Sequence, residues 1–221
     1  MKMIKNMIML AALTMTAPLA AEETAAESNA AAPAAPATPA NAQEIASGVC
    51  AGCHNPDGNS VIPMNPILAG QQAEYITKQL MDFKATETEP AKRNSPVMSS
   101  MVAALSQDDM KKLGEYYAQQ KTIPSQVAAD EKLLATGKIL YHGGNIENGI
   151  PACASCHGPT GAGIVPRYPG VAGQHAEYTL TQLNQFNTGD RANDNKVMQK
   201  VVHRMSANEK RAVSAYISTM R

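Results

Sequence analysis

The sequence predicts an all-α fold built from two copies of one helical unit, and three observations carry that prediction. A C-x-x-C-H pentapeptide occurs twice, as Cys50-Ala-Gly-Cys53-His54 and Cys153-Ala-Ser-Cys156-His157, and together the copies use all four cysteines. A constant offset of 103 residues pairs much of the first half with the second. No stretch alternates apolar and polar residues as a half-buried strand would.

The motif comes first because it organises the rest. In a helical turn, positions i, i+3 and i+4 share a face, so each pentapeptide aims two thiols and one imidazole at the same object. Two thiols so spaced form thioethers to the vinyl groups of one porphyrin, and the adjoining histidine coordinates its iron. This is the signature of covalent c-type haem attachment. It makes Cys50, Cys53, Cys153 and Cys156 the candidate attachment points for two haem c groups, with His54 and His157 as iron ligands. Four-cysteine zinc sites space their pairs by about 15–20 residues, whereas 99 residues separate Cys53 from Cys153. A thioredoxin-like pair wants a βαβ neighbourhood that this helix-and-loop sequence lacks. Disulfides alone would leave both histidines unexplained.

Residues 1–21 carry Lys2 and Lys5, an apolar run from Met7 to Leu13 and a small-residue stretch ending at Ala21, the layout of a secretory signal peptide. Export suits haem that is attached outside the cytoplasm; the competing reading is an uncleaved anchor. Residues 22–41 are mostly Ala, Pro, Glu, Thr and Ser, too poor in apolar groups to offset their ordering entropy, and predict a disordered, extended spacer. The remainder divides into a first domain at 42–122, a linker at 123–131 and a second domain at 132–221. The offset of 103 matches Gly58 with Gly161, Pro63 with Pro166, Pro66 with Pro169, Gly70-Gln71 with Gly173-Gln174, Tyr75 with Tyr178, Gln79-Leu80 with Gln182-Leu183 and Phe83 with Phe186. After a three-residue shortening, Met98 matches Met198, Ser106 matches Ser206 and Tyr116 matches Tyr216.

Each unit reads as three helices with long loops. The first carries the motif. The second spans 73–85 and 175–186, with Leu80/Phe83 and Leu183/Phe186 on one side. The third opens on a capping box, Ser106-x-x-Asp109 and Ser206-x-x-Glu209. With no Trp and two Phe, a unit of ~85 residues has a thin core and wants a staple or cofactor, which a buried porphyrin supplies.

A second axial ligand separates a carrier from a catalyst. Met98 and Met198, in the loops just before the third helix, are matched by the repeat, whereas Met101 faces Val201. His142, His175 and His203 have no histidine counterparts, which points to surface or structural roles. Ligating histidines usually donate their other N–H to a carbonyl, and the loops at Pro66 and Pro169 are candidates. Arg93 and Arg191 are candidates to pair with haem propionates.

The two C-x-x-C-H units, the Leu68-Ala-Gly-Gln71 and Val171-Ala-Gly-Gln174 loops followed by Tyr-x-x-x-Gln-Leu, and the methionine segments leading into the capping boxes resemble the dihaem cytochrome c4 family. The resemblance covers nearly everything after the spacer. It implies two class I cytochrome c domains facing each other across a pseudo-twofold axis. It implies His/Met ligation by His54 with Met98 and His157 with Met198. It also implies a periplasmic role carrying electrons from a quinol-oxidising bc1 complex toward a terminal oxidase, often of cbb3 type.

The chain is formally neutral with 19 basic and 19 acidic residues; loss of the two leader lysines leaves a slight acidic excess. Residues 44–122 hold 7 basic and 9 acidic groups, residues 131–221 hold 10 and 6, a polarity suited to docking different redox partners on different domains. No basic cluster is interleaved with aromatics, so nucleic acid is not an expected partner. The leading expectation is an electron carrier and not an enzyme, located in the periplasm as a soluble protein or tethered to the inner membrane. The alternatives are a dihaem peroxidase, a sulfur-compound dehydrogenase or an electron-input subunit of an oxidase.

Overall fold

A computed structural model describes residues 40–123 and 130–221; the leader, the spacer to residue 39 and residues 124–129 of the linker lie outside the described residues. The first half begins with α1 (Ala40–Ile45), which runs through a π-helical turn at Ala46–Cys50 into the one-turn α2 (Ala51–His54). α3 (Ala73–Phe83), α4 (Pro96–Val102) and α5 (Gln107–Ala118) complete it. The second half repeats the order with α6 (Glu131–Gly143), α7 (Ala154–His157), α8 (Ala176–Thr188), α9 (Val197–Val202) and α10 (Ala207–Thr219). Among the described residues the only β pairing is isolated bridges, so the all-α expectation holds.

Both capping boxes form as the sequence predicts. The Ser106 and Ser206 hydroxyls accept from the Asp109 and Glu209 amides, and those carboxylates accept in return from the serine amides at 2.9 and 2.8 Å. One expectation needs correcting. Met98 and Met198 sit on short helices, α4 and α9, not in loops. In α4, Pro96 pre-sets the first turn and Ser95 Oγ accepts from Met98 N at 3.3 Å, a helix start built from local chemistry. In addition, α6 precedes the second motif as a separate thirteen-residue helix, capped by Asp130, whose Oδ1 accepts from Leu133 N at 3.0 Å.

The long helices pack in pairs, α3 on α5 and α10 on both α6 and α8. The α6–α10 crossing is close enough that a Cβ on Gly137 would lie 2.1 Å from the Ala212 carbonyl. The second half has one continuous core, from Leu140 and Tyr141 through Phe186 and Val202 to Ile217 and Met220. In the first half the core is split: Ala46, Ile76, Leu113 and Tyr117 form one cluster, Phe83, Val102 and Met110 another.

The halves meet in a seam whose contacts come in reciprocal pairs, the mark of a twofold relation between two similar surfaces. Arg93 and Arg191 bridge each other antiparallel at its centre. Arg93 donates to Tyr178 Oη at 3.1 Å and to Gln182 Oε1 at 2.7 Å; Arg191 donates to Tyr75 Oη at 2.9 Å and to Gln79 Oε1 at 3.2 Å. Each guanidinium also lies 4.5 Å from the ring of a phenylalanine in its own half, Phe83 or Phe186.

Candidate haem centres

Each motif is presented on one helical turn. Cys50, Cys153 and Cys156 are half-buried, Cys53 is exposed, and all four are free thiols. Burial pushes the Cys50 thiol above its usual range, with the Tyr117 hydroxyl pulling the other way, and pushes Cys153 up to about 11. The Tyr117 hydroxyl is buried beside Cys50 and has no other hydrogen-bond partner among the described residues. In the second half the comparable hydroxyl comes from α6, where Tyr141 donates to Gly158 O at 2.7 Å.

His54 Nδ1 lies 3.0 Å from the Pro66 carbonyl and His157 Nδ1 2.9 Å from that of Pro169. A carbonyl can only accept, so Nδ1 carries the proton and Nε2 is left with a lone pair. Burial lowers the pKa of both imidazoles, the proline contacts opposing it only in part, which keeps the rings neutral. Each proline is brought into place by the turn after its motif. Gly58, at φ +77, turns its carbonyl to accept from Leu68 N at 2.7 Å and Ala69 N at 3.2 Å; Gly161, at φ +75, does the same for Val171 N and Ala172 N at 2.7 and 3.1 Å. Positive φ costs glycine little and other residues more.

Met98 and Met198 are both half-buried and pack against the cores that hold Phe83 and Phe186. Free paired thiols, a neutral imidazole with Nε2 available and a thin core suit a covalently held porphyrin in each half. Of the other histidines, His142 is exposed and meets Tyr216 Oη at 3.0 Å, and His203 is exposed. His175 is buried, its Nε2 donating to Ser60 O at 2.8 Å across the seam. Arg93 and Arg191 are buried rather than solvated.

The Cytochrome c family model matches this chain twice, over residues 39–121 and 135–221. Cytochrome c4 of Thiocapsa roseopersicina is 43% identical over 175 residues, covering 78% of this chain and 87% of that protein. The chain belongs to the cytochrome c4 family. The crystal structure of reduced recombinant cytochrome c4 from Pseudomonas stutzeri superposes with a TM-score of 0.75 at 36% identity, covering 84% of this chain and all of that one. A protein named thiosulfate dehydrogenase electron acceptor, from Stutzerimonas stutzeri (strain A1501), is 34% identical over 177 residues, covering 77% of this chain and 78% of its own. As a member of the cytochrome c4 family, the chain holds covalent haem c in tandem cytochrome c domains and works as a dihaem electron carrier with redox partners.

Sequence reading missed Gln71, Gln174, Tyr75, Tyr178, Gln79 and Gln182 as functional positions, although all six repeat at the 103 offset. The signal was there: polar side chains kept at matched positions of a duplicated unit have a shared task, and here it is the seam.

Proposed function

We propose that this protein is a periplasmic carrier that takes single electrons from a quinol-oxidising bc1-type complex and passes them toward a terminal oxidase, of the cbb3 type in the manner the family resemblance implies. Cys50 and Cys53 would anchor one porphyrin, Cys153 and Cys156 the other. His54 with Met98, and His157 with Met198, would close both faces of each iron. Haem supplies a site for one electron per iron, and the protein supplies rigidity, burial and a closed coordination sphere. The observation that carries this reading is the match between halves: the same histidine-to-proline bond and a methionine on the same short helix in each. An open iron site would favour an enzyme, and two matched methionines favour a carrier.

Arg93 and Arg191 are assigned to the haem propionates. Both are more than nine-tenths buried, and their hydrogen bonds go to neutral groups on Gln79, Gln182, Tyr75, Tyr178 and Asn193. A buried cation needs counter-charge; Asp194 supplies part of it to Arg191, and propionates would provide the rest. The leader motif supports export; its residues lie outside the described ones, and among those described no helix is long and apolar enough to cross a membrane.

A second reading rests on the relative named as a thiosulfate dehydrogenase electron acceptor: the donor is then a sulfur-compound dehydrogenase. Reduction rates of the oxidised holoprotein by a purified bc1 complex with quinol, and by thiosulfate dehydrogenase with thiosulfate, separate the two. Faster reduction by bc1 supports the first reading, and reduction by the dehydrogenase alone replaces it with the second.

A further inference from the structure

Each half reaches across the seam to the peptide that orients the other half's histidine. Gln71 Nε2 donates to Gly170 O at 2.7 Å, and its Oε1 accepts from Gly170 N at 3.0 Å. Gln174 mirrors it on Ile67, donating to the carbonyl at 2.9 Å and accepting from the amide at 2.9 Å. Both glutamines are themselves held, since Oε1 also accepts from the next amide, Gln72 N or His175 N, at 3.0 Å in each case.

The clamped amides are the other ends of the peptide units that matter. The Ile67 N–H belongs to the same peptide plane as the Pro66 carbonyl, and the Gly170 N–H to the same plane as the Pro169 carbonyl. A continuous chain therefore runs from Gln174 Oε1 to Ile67 N–H, through the peptide to Pro66 O, and on to His54 Nδ1–H. Its mirror runs from Gln71 Oε1 through Gly170 and Pro169 to His157 Nδ1–H. Hydrogen bonds in series polarise one another, and an acceptor on the outer N–H of a metal-bound histidine raises its basicity.

We propose that Gln71 and Gln174 are crossed positioning residues, each fixing the histidine ligand, and tuning the reduction potential, of the haem in the opposite half. The proposal rests on His54 and His157 being iron ligands. An acceptor at the amide makes the proline carbonyl a better acceptor, the histidine more electron-donating and ferric iron more stable. Loss of the glutamine raises the potential of the opposite haem.

The test uses the diheme holoprotein with Gln71→Met and Gln174→Met, which keep length and remove the amide, and Gln71→Glu and Gln174→Glu, which keep an oxygen facing the clamped N–H. Redox titration followed by paramagnetic NMR resolves each haem and its histidine ring protons. Q174M is expected to change the oxidised-to-reduced ratio of the first-half haem about threefold at fixed potential, roughly 30 mV at 59 mV per decade for one electron, with the second-half haem unmoved. Q71M is expected to do the reverse, and the glutamate variants to restore most of the shift. A shift in the variant's own half, equal shifts in both haems, or none would overturn the proposal. Should the methionine variants fail to assemble, Gln71→Asn and Gln174→Asn, which withdraw the amide by one methylene, carry the test through the position of the opposite histidine's ring protons, and wild-type shifts in both rings would count against the crossed path. The underlying ligation is checked separately on the wild type: absent contact-shifted histidine signals sink the ligand assignment itself, whereas present signals with no crossed effect sink only this inference.

Discussion

His54 and His157 meet their carbonyls at 3.0 and 2.9 Å, and Arg93 and Arg191 each stack 4.5 Å from a phenylalanine, yet the helix ahead of the motif runs through a π-helical turn straight into it in the first half, whereas in the second α6 ends at Gly143, before a loop that leads to Cys153. The hydroxyl beside the first motif cysteine comes from α5 in the first half, as Tyr117, while α6 supplies Tyr141 in the second. Lys210 is buried in α10 where the first half has the core methionine Met110. The surface charge also differs, with Lys196, Lys200, His203 and Arg204 around α9 where the first half has Pro96, Ser100, Ala103 and Ala104. Duplication has thus kept the proposed iron ligands and the paired contacts of the seam and let the scaffold and the outer surface diverge.

The comparison breaks most visibly if one half is deprived of its attachment points. Cys153→Ser with Cys156→Ser is expected to yield exported protein with one porphyrin instead of two by intact mass, with the first half still loaded; loss of both would mean the halves do not load independently. Next in size are the methionines. Met98→His and Met198→His each replace the proposed ligand that raises the potential, and each is expected to lower one midpoint on the order of 0.1–0.3 V in a redox titration. A variant that leaves both midpoints in place would remove its methionine from the axial position.

Smaller effects sharpen the symmetry. Arg93→Leu and Arg191→Leu orphan a similar set of glutamine and tyrosine partners, so each should cost about 1–3 kcal/mol in denaturant unfolding and lower the nearby haem potential by removing positive charge. Markedly unequal costs would show that the seam is not balanced. Gly137→Ala forces a Cβ onto the Ala212 carbonyl and should cost about 1–3 kcal/mol, seen as a lower Tm, with both haem spectra unchanged. The smallest effect is on encounter rates. Lys196→Glu with Lys200→Glu should slow electron transfer to an acidic redox protein and flatten its salt dependence, whereas Lys132→Glu with Lys138→Glu, equal in charge and on α6, should do so less.

Much of this was legible in the sequence because the motif, the repeat and the capping boxes are local signals. Ser106 and Asp109 need only each other, and Cys50, Cys53 and His54 need only one helical turn. The proline carbonyls were also within reach, since a ligating histidine wants an acceptor and only one loop repeats nearby. The seam was not legible. Gln71 and Gln174 act on residues 99 and 107 positions away in the chain, and Arg93 and Arg191, candidates for the haem propionates, show their reciprocal bonds across the seam only once the two halves are packed together. The helices carrying the methionines were missed because seven and six residues are too few to show a 3.6-residue period.

The central claim is that each half holds its own haem with both faces of the iron closed. Exposing the reduced, purified holoprotein to carbon monoxide while recording its absorption spectrum tests this most directly. Two closed irons predict an unchanged spectrum over two equivalents of haem per chain; ready formation of a carbon monoxide adduct at either haem would contradict it.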